Sequence, residues 1–208
     1  MTDALTTLGR EAEGRFEEKK SVFLAHACPV ADEAEAQAYI KKMKAAYADA
    51  RHNVWGYRMA GDIAVRCSDD GEPQGSAGVP TLDVLRKSGI CNAVIVTTRY
   101  FGGILLGAGG LVRAYSAAAR LAVEAAGIVT YTRYDELRLV CSYGNYQRYL
   151  AELPKFGAKT DGTDFAAEVT LRFAVPADAT AALCLRVTEM SNGAEAPQVV
   201  GSRFDGGR

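Results

Sequence analysis

Arg99-Tyr100-Phe101-Gly102-Gly103-Ile104-Leu105-Leu106-Gly107-Ala108-Gly109-Gly110-Leu111 sets one arginine, two aromatics and five glycines between an apolar run and a helical pattern. Before it, Asn92 to Thr98 contains Ala93-Val94-Ile95-Val96, short and β-branched enough to be a core strand covered on both faces. After it, a helix is expected from about Gly109 to Ala126. Glycines at such a junction allow positive φ and close approach of a second backbone or a ligand. The first free N–H groups of the helix form an anion site. A tight turn with glycines needed only for packing is the plainer reading of the same residues.

The helix has two sides. Leu111, Tyr115, Ala118, Ala122 and Ala125 make a face of mostly small residues, and Arg113, Arg120 and Glu124 lie on the polar side. Arg99 and Arg113 are placed to flank the glycine loop and bind phosphate, nucleotide or an acidic partner. The loop lacks the Gly-Lys-Ser/Thr ending of a phosphate-binding loop, and no acidic residue follows as a dinucleotide fold requires. A nucleotide is possible here but unsupported.

Upstream, the pattern is mixed α and β. Phe16 to Glu18 and Ser21 to Cys28 read as strands, and Asp32 caps an amphipathic helix reaching about Ala48. His52 to Met59 and Ile63 to Cys67 read as a hairpin joined by Gly61-Asp62. Period two puts His52, Val54, Gly56 and Arg58 on one face of the first strand and Asn53, Trp55 and Tyr57 on the other. One of those faces is expected to be wetter. Asp69-Asp70-Gly71-Glu72-Pro73 then puts three carboxylates in one loop, which suits a Mg²⁺ ligand set or a general base, and equally suits turn chemistry. A helix from about Pro80 to Ser88 closes this half.

Downstream of Gly127 the pattern restarts. Glu136 to Cys141, Ala158 to Thr160, Ala166 to Ala174 and Pro197 to Phe204 read as strands. Asn145 to Phe156 and Asp178 to Ser191 read as helices, the second capped by Asp178. The order βαββαβ is that of a ferredoxin-like fold. An α+β protein of two domains follows, 1–132 and 133–208. Tyr143, Tyr146 and Tyr149 with Arg148 read as packing more than as a stacking platform.

Composition narrows the function classes. The 208 residues are 49% hydrophobic with a net charge of −1, balanced along the chain, so no general attraction to nucleic acid is indicated. No run of about 18 apolar residues and no secretory leader pattern is present, so a cytoplasmic protein without a membrane partner is expected. Five scattered cysteines without a C-x-x-C pair argue against disulfides and a zinc site, and Cys28, Cys91, Cys141 and Cys184, inside apolar segments, read as buried thiols. No nucleophile elbow exists, so no catalytic residues, metal ligands or cofactor are assigned.

Three segments together resemble the IMPACT family in its bacterial two-domain form. They are His52-Asn53-Val54-Trp55-Gly56-Tyr57, Asp69 through Pro80, and Arg99 through Tyr115. The family pattern carries a cysteine in the first segment where this chain has Val54, which argues against a cysteine nucleophile there. The resemblance implies an N-terminal βαβ fold shared with a small-subunit ribosomal protein and domain IV of elongation factor G. It implies a C-terminal domain similar to domain V of that factor. In eukaryotic relatives the domain is tied to control of translation initiation under starvation, through competition for a partner of an initiation-factor kinase. By matched position it implies a binding surface of His52, Asp70, Glu72, Arg99, Tyr100 and Gly102, with Gly107, Gly109 and Gly110 behind it. Gly103 and Arg113 complete the expected binding set. Two functions stay open: a non-enzymatic regulator binding RNA, the ribosome or a translation-linked protein, and a Mg²⁺-dependent enzyme or binder of a nucleotide or phosphorylated small molecule.

Overall fold

The computed structural model describes residues 4–206, and the chain divides into two compact units, 5–130 and 131–206 with Ala4. The N-terminal unit holds β1 (Ala4–Leu8), β2 (Ala12–Glu18), β3 (Ser21–Pro29), α1 (Glu33–Ala46), β4 (His52–Arg58), β5 (Val65–Ser68), α2 (Gly78–Lys87), β6 (Ala93–Tyr100) and α3 (Gly107–Ala126). Its sheet runs β2-β3-β6-β4-β5, with every neighbouring pair antiparallel. The apolar run of β6 is therefore the central strand. Both of its faces are covered, because Ala93 and Ile95 join the core under α2 and α3 while Val94 and Val96 join the core under α1.

The same two-sided cover corrects the expectation of a wet face on β4. Val54 belongs to the α3 side and Tyr57 to the α1 side, and Gly56 is in contact with Leu82 of α2, where a Cβ would stand 3.0 Å from the leucine Cβ. The alanines of α3 work in the same way. Gly14 of β2 lies so near α3 that a Cβ there would come within 2.3 Å of Ala122 N. Ala118, Ala119 and Ala122 are fully buried, but Ala125 is exposed, so the small face is centred one residue earlier than periodicity suggested.

Several boundaries differ from expectation. β1 carries too few apolar residues to announce itself, yet Cys91 N bonds Thr6 O at 2.9 Å and Thr7 Oγ1 bonds Asn92 O at 3.1 Å. The hairpin between β4 and β5 turns through a short 3₁₀ segment, Ala60–Asp62, with Gly61 at φ 66°, and Ile63 lies exposed outside the strand. Helix α3 begins at Gly107, two residues before the expected start.

The C-terminal unit holds β7 (Ile128–Cys141) from residue 131 onward, α4 (Tyr143–Glu152), β8 (Lys159–Phe165), β9 (Val169–Pro176), α5 (Thr180–Met190) and β10 (Gln198–Asp205). Its strands lie in the order β10-β7-β9-β8, all antiparallel, which is the ferredoxin-like arrangement. Leu137, Leu139, Leu171 and Phe173 form its core with Tyr149, Leu183 and Val187 from the helices. β7 starts eight residues earlier than the apolar pattern shows. β8 runs on through Asp161 and Gly162, turn-type residues accommodated by an irregularity in register between Thr160 and Gly162. Asp178 does not cap α5, whose N-cap is Ala179 with no side-chain bond. Tyr149 is buried against Glu195, while Tyr143 and Tyr146 pack on Phe165.

Candidate functional site

The site grows from one row across the central sheet. Phe23 of β3 pairs with Arg99 of β6, and Arg99 pairs with His52 of β4, so the three side chains share the face that carries α3. Arg99 is buried, with its guanidinium carbon 5.5 Å from the ring centres of both Phe23 and Phe101. Its Nη1 donates to Glu72 Oε1 at 2.7 Å, and Tyr115 of α3 donates to the same oxygen at 2.8 Å. Arg99 Nε is buried and has no acceptor. Burial, and then the Glu72 charge, push the Tyr115 hydroxyl far above its ordinary range, so it stays a donor.

The acidic loop that delivers Glu72 sends its three carboxylates in three directions. Asp69 accepts from the backbone N–H groups of Gly75, Ala77 and Gly78 at 2.8, 3.0 and 2.8 Å, and so closes the loop onto the start of α2. Burial raises its pKa, but those three bonds outweigh burial and hold the carboxyl below its ordinary value. Asp70 accepts from Lys44 Nζ at 2.5 Å and from Asn53 N at 2.7 Å. Glu72 points inward to Arg99. Among the described residues no three His, Cys, Asp or Glu side chains converge as a metal cluster. The three carboxylates of the loop therefore do not share one point.

His52 Nδ1 lies 2.8 Å from Asp70 O, an atom that only accepts, so Nδ1 carries the proton. The ring faces a cleft of about 380 Å³ lined by Arg51, His52, Glu72, Pro73, Arg99, Phe101, Leu105, Leu106, Gly107, Ala108 and Leu111. Leu106 caps α3 without a side-chain bond, which leaves the first N–H groups of a 20-residue helix without a capping side chain at the cleft wall. Phe101 and Leu105 are exposed where they line it, and Ile104, next to Leu105 in the chain, is exposed as well.

Of the expected binding residues, His52, Glu72, Arg99 and Gly107 line this cleft. Asp70 stands behind it, holding His52. Tyr100 projects to the opposite face of the sheet, where its hydroxyl donates to Asp49 at 3.0 Å. Gly102 serves packing: its N–H donates to Ser21 Oγ at 3.1 Å, and a Cβ would come within 2.0 Å of the Lys20 carbonyl carbon. Gly103 and Gly107 take φ of 84° and 71° in open space. Gly109 lies in the first turn of α3, and Gly110 and Arg113 line a neighbouring groove with Phe16, Glu18 and Arg120. Arg113 therefore does not flank the cleft with Arg99. Sequence reasoning passed over Arg51, Phe101 and Leu105 as site residues, although Arg51 directly precedes the β4 motif and Phe101 opens the glycine loop.

Of the cysteines expected to be buried thiols only Cys141 is; Cys28, Cys91 and Cys184 are half-buried, because Cys28 and Cys184 pack at the edge of a core rather than inside it and Cys91 precedes β6. Burial raises the thiol pKa of Cys28 and Cys141 to about 11, and no cysteine lines the cleft.

The geometry defines a two-unit α+β protein with a part-cationic, part-apolar cleft between an acidic loop and a helix N-terminus. The Impact N-terminal domain matches residues 19–123, and a second family model, Domain of unknown function (DUF1949), matches 139–194. IMPACT family member YigZ of Escherichia coli is 35% identical over 178 residues, 84% of this chain and 87% of that protein. IMPACT family member YvyE of Bacillus subtilis is 41% identical over 130 residues, 62% of this chain and 60% of that protein. A solved structure titled "Crystal structure of an hypothetical protein" is 31% identical and covers 96% of this chain and 98% of its own, with a TM-score of 0.62. The chain belongs to the IMPACT family.

Proposed function

We propose that the protein is a regulator acting in translation rather than an enzyme, and that the cleft face of its N-terminal unit meets the ribosome. The observation that carries this reading is the exposed part of the cleft lining. Exposed Phe101 and Leu105 line the cleft with Arg51 and the N-terminus of α3, so apolar or base-stacking contacts and a phosphate contact lie side by side. The groups that catalysis would draw on are bound internally. Asp69, Asp70 and Glu72 each serve a separate structural bond, and His52 Nδ1 is held by the loop carbonyl. The translation role of eukaryotic relatives supports the same reading.

The balanced charge of the chain sets the scale of the contact: few phosphates are neutralised, so affinity falls gently with salt. Co-sedimentation with ribosomes over a salt series tests it. Wild type pellets with ribosomes at low salt, and Arg51→Glu does not. Absence of wild-type binding at every salt concentration contradicts the proposal.

A further inference from the structure

We propose that the same cleft binds a small molecule carrying one anionic group, a carboxylate or a phosphate monoester, on an apolar or planar body. This goes beyond the ribosome contact and does not depend on it.

The dimensions come first. About 380 Å³ lies within the range of small-molecule sites, and most of the wall is apolar: Phe101, Leu105, Leu106 and Leu111. A polyanion tracking along a surface needs a stripe of cations. A compact ligand needs one, and here the cations are confined to one corner.

The charge count then selects the head group. Arg51 lines the cleft, is exposed, and makes no ion pair among the described residues. Arg99 is more than nine-tenths buried, and Glu72 occupies only its Nη1; the buried Nε has no acceptor. A buried donor without a protein acceptor calls for a partner, and Arg99 lines a cleft that has room for one. Arg51 and Arg99 against Glu72 leave one net positive charge, to which the start of α3 adds roughly half a charge. A single head group of one to about two negative charges, a carboxylate or one phosphate monoester, is matched by this corner. Further phosphates would crowd Glu72, and no lysine lines the cleft to neutralise them. The geometry thus points away from nucleoside triphosphates and toward a singly headed ligand.

The apolar body follows from what faces that corner. Phe101, whose ring lies against the Arg99 guanidinium, is more than half exposed, and Leu105 and Leu106 line the cleft beside it.

The test is calorimetric titration of the full chain with five probes in the absence of ribosomes: inorganic phosphate, phenylacetate, AMP, and the uncharged analogues phenylacetamide and adenosine. Phenylacetate or AMP binds in the millimolar range or tighter, and its uncharged analogue binds about tenfold more weakly. Which of the two binds tells a carboxylate head from a phosphate. Arg51→Glu, an exposed change that leaves the Arg99–Glu72 pair intact, reduces affinity by about tenfold, and Phe101→Ala weakens the organic anion but not inorganic phosphate. Binding of neither organic anion, equal binding of charged and uncharged analogues, or unchanged affinity in Arg51→Glu overturns the proposal. Because no ribosome is present, its failure is separate from failure of the translation reading.

Discussion

Arg99 and Glu72 meet at 2.7 Å in the interior of the N-terminal unit, and each is less than a tenth exposed. Tyr115 shares the acceptor oxygen, so β6, the acidic loop and α3 are joined at one point. A buried ion pair is a weak source of net stability, but removing one partner strands the other. Glu72→Ala is expected to lower unfolding free energy in urea by about 3–5 kcal/mol, because it leaves a buried guanidinium unpaired. The double variant Glu72→Leu/Arg99→Met is expected to lose much less than the sum of its single changes.

The glycines of the loop divide into two kinds. Gly102→Ala drives a methyl group into the Lys20–Ser21 backbone and is expected to cost roughly 3 kcal/mol or more, or to prevent folding. Gly109→Ala meets only Arg113 Nη1 at 3.8 Å and is expected to stabilise α3 by about 0.5–1 kcal/mol. Denaturation of the two variants side by side checks the contrast.

Asp69 closes the loop onto α2 through three backbone N–H groups. Its carboxyl is held below the ordinary value of 3.8, so the stability it supplies is present above that pH and is lost as the pH falls further. Asp69→Ala is expected to cost about 1–2 kcal/mol at neutral pH, with the loss narrowing in acid. Unfolding curves at pH 7 and in acid measure it.

His26 gives stability its dependence in the mildly acidic range. The ring is buried under α1 and its Nε2 has no partner. Burial lowers its pKa from 6.5, against the opposing pull of Glu13 and Glu11 and with a smaller push from Lys42. Unfolding restores the higher value, so the unfolded chain takes up the proton first. His26 therefore favours the folded state fully above pH 6.5 and progressively less as the pH drops below it. Replacing it by leucine should flatten the stability profile in that window, as read from melting temperature against pH.

Much of this architecture is legible in particular residues. Ala93-Val94-Ile95-Val96 marks the central strand because only a doubly covered strand is apolar at successive positions. The βαββαβ order of the second unit survives even though β7 and β8 are longer than their apolar cores. The extra residues mix polar and turn-type positions with exposed apolar ones such as Ile128 and Phe165, so strand pairing rather than side-chain burial holds them. β1 is legible only after folding, since Thr6 and Thr7 are fixed by hydrogen bonds to Cys91 and Asn92, far along the chain. In the site, His52, Glu72 and Arg99 come together as their motifs suggest. Tyr100 does not, because it follows Arg99 directly and strand alternation turns it to the other face. Asp70 and Asp69 look like ligands in sequence but are consumed by Lys44, Asn53 and the start of α2, contacts that local spacing does not reveal.

The most direct test of the account is ribosome co-sedimentation of wild type beside Arg51→Glu and Phe101→Ala over a salt series. These exposed positions are preferable to Arg99 or Glu72, whose loss disturbs the fold itself. Pelleting of wild type at low salt that weakens gradually as salt rises and that both variants lose, with melting temperatures unchanged, is the predicted result. Wild type that stays in the supernatant at low salt, or variants that pellet as well as wild type, contradicts it.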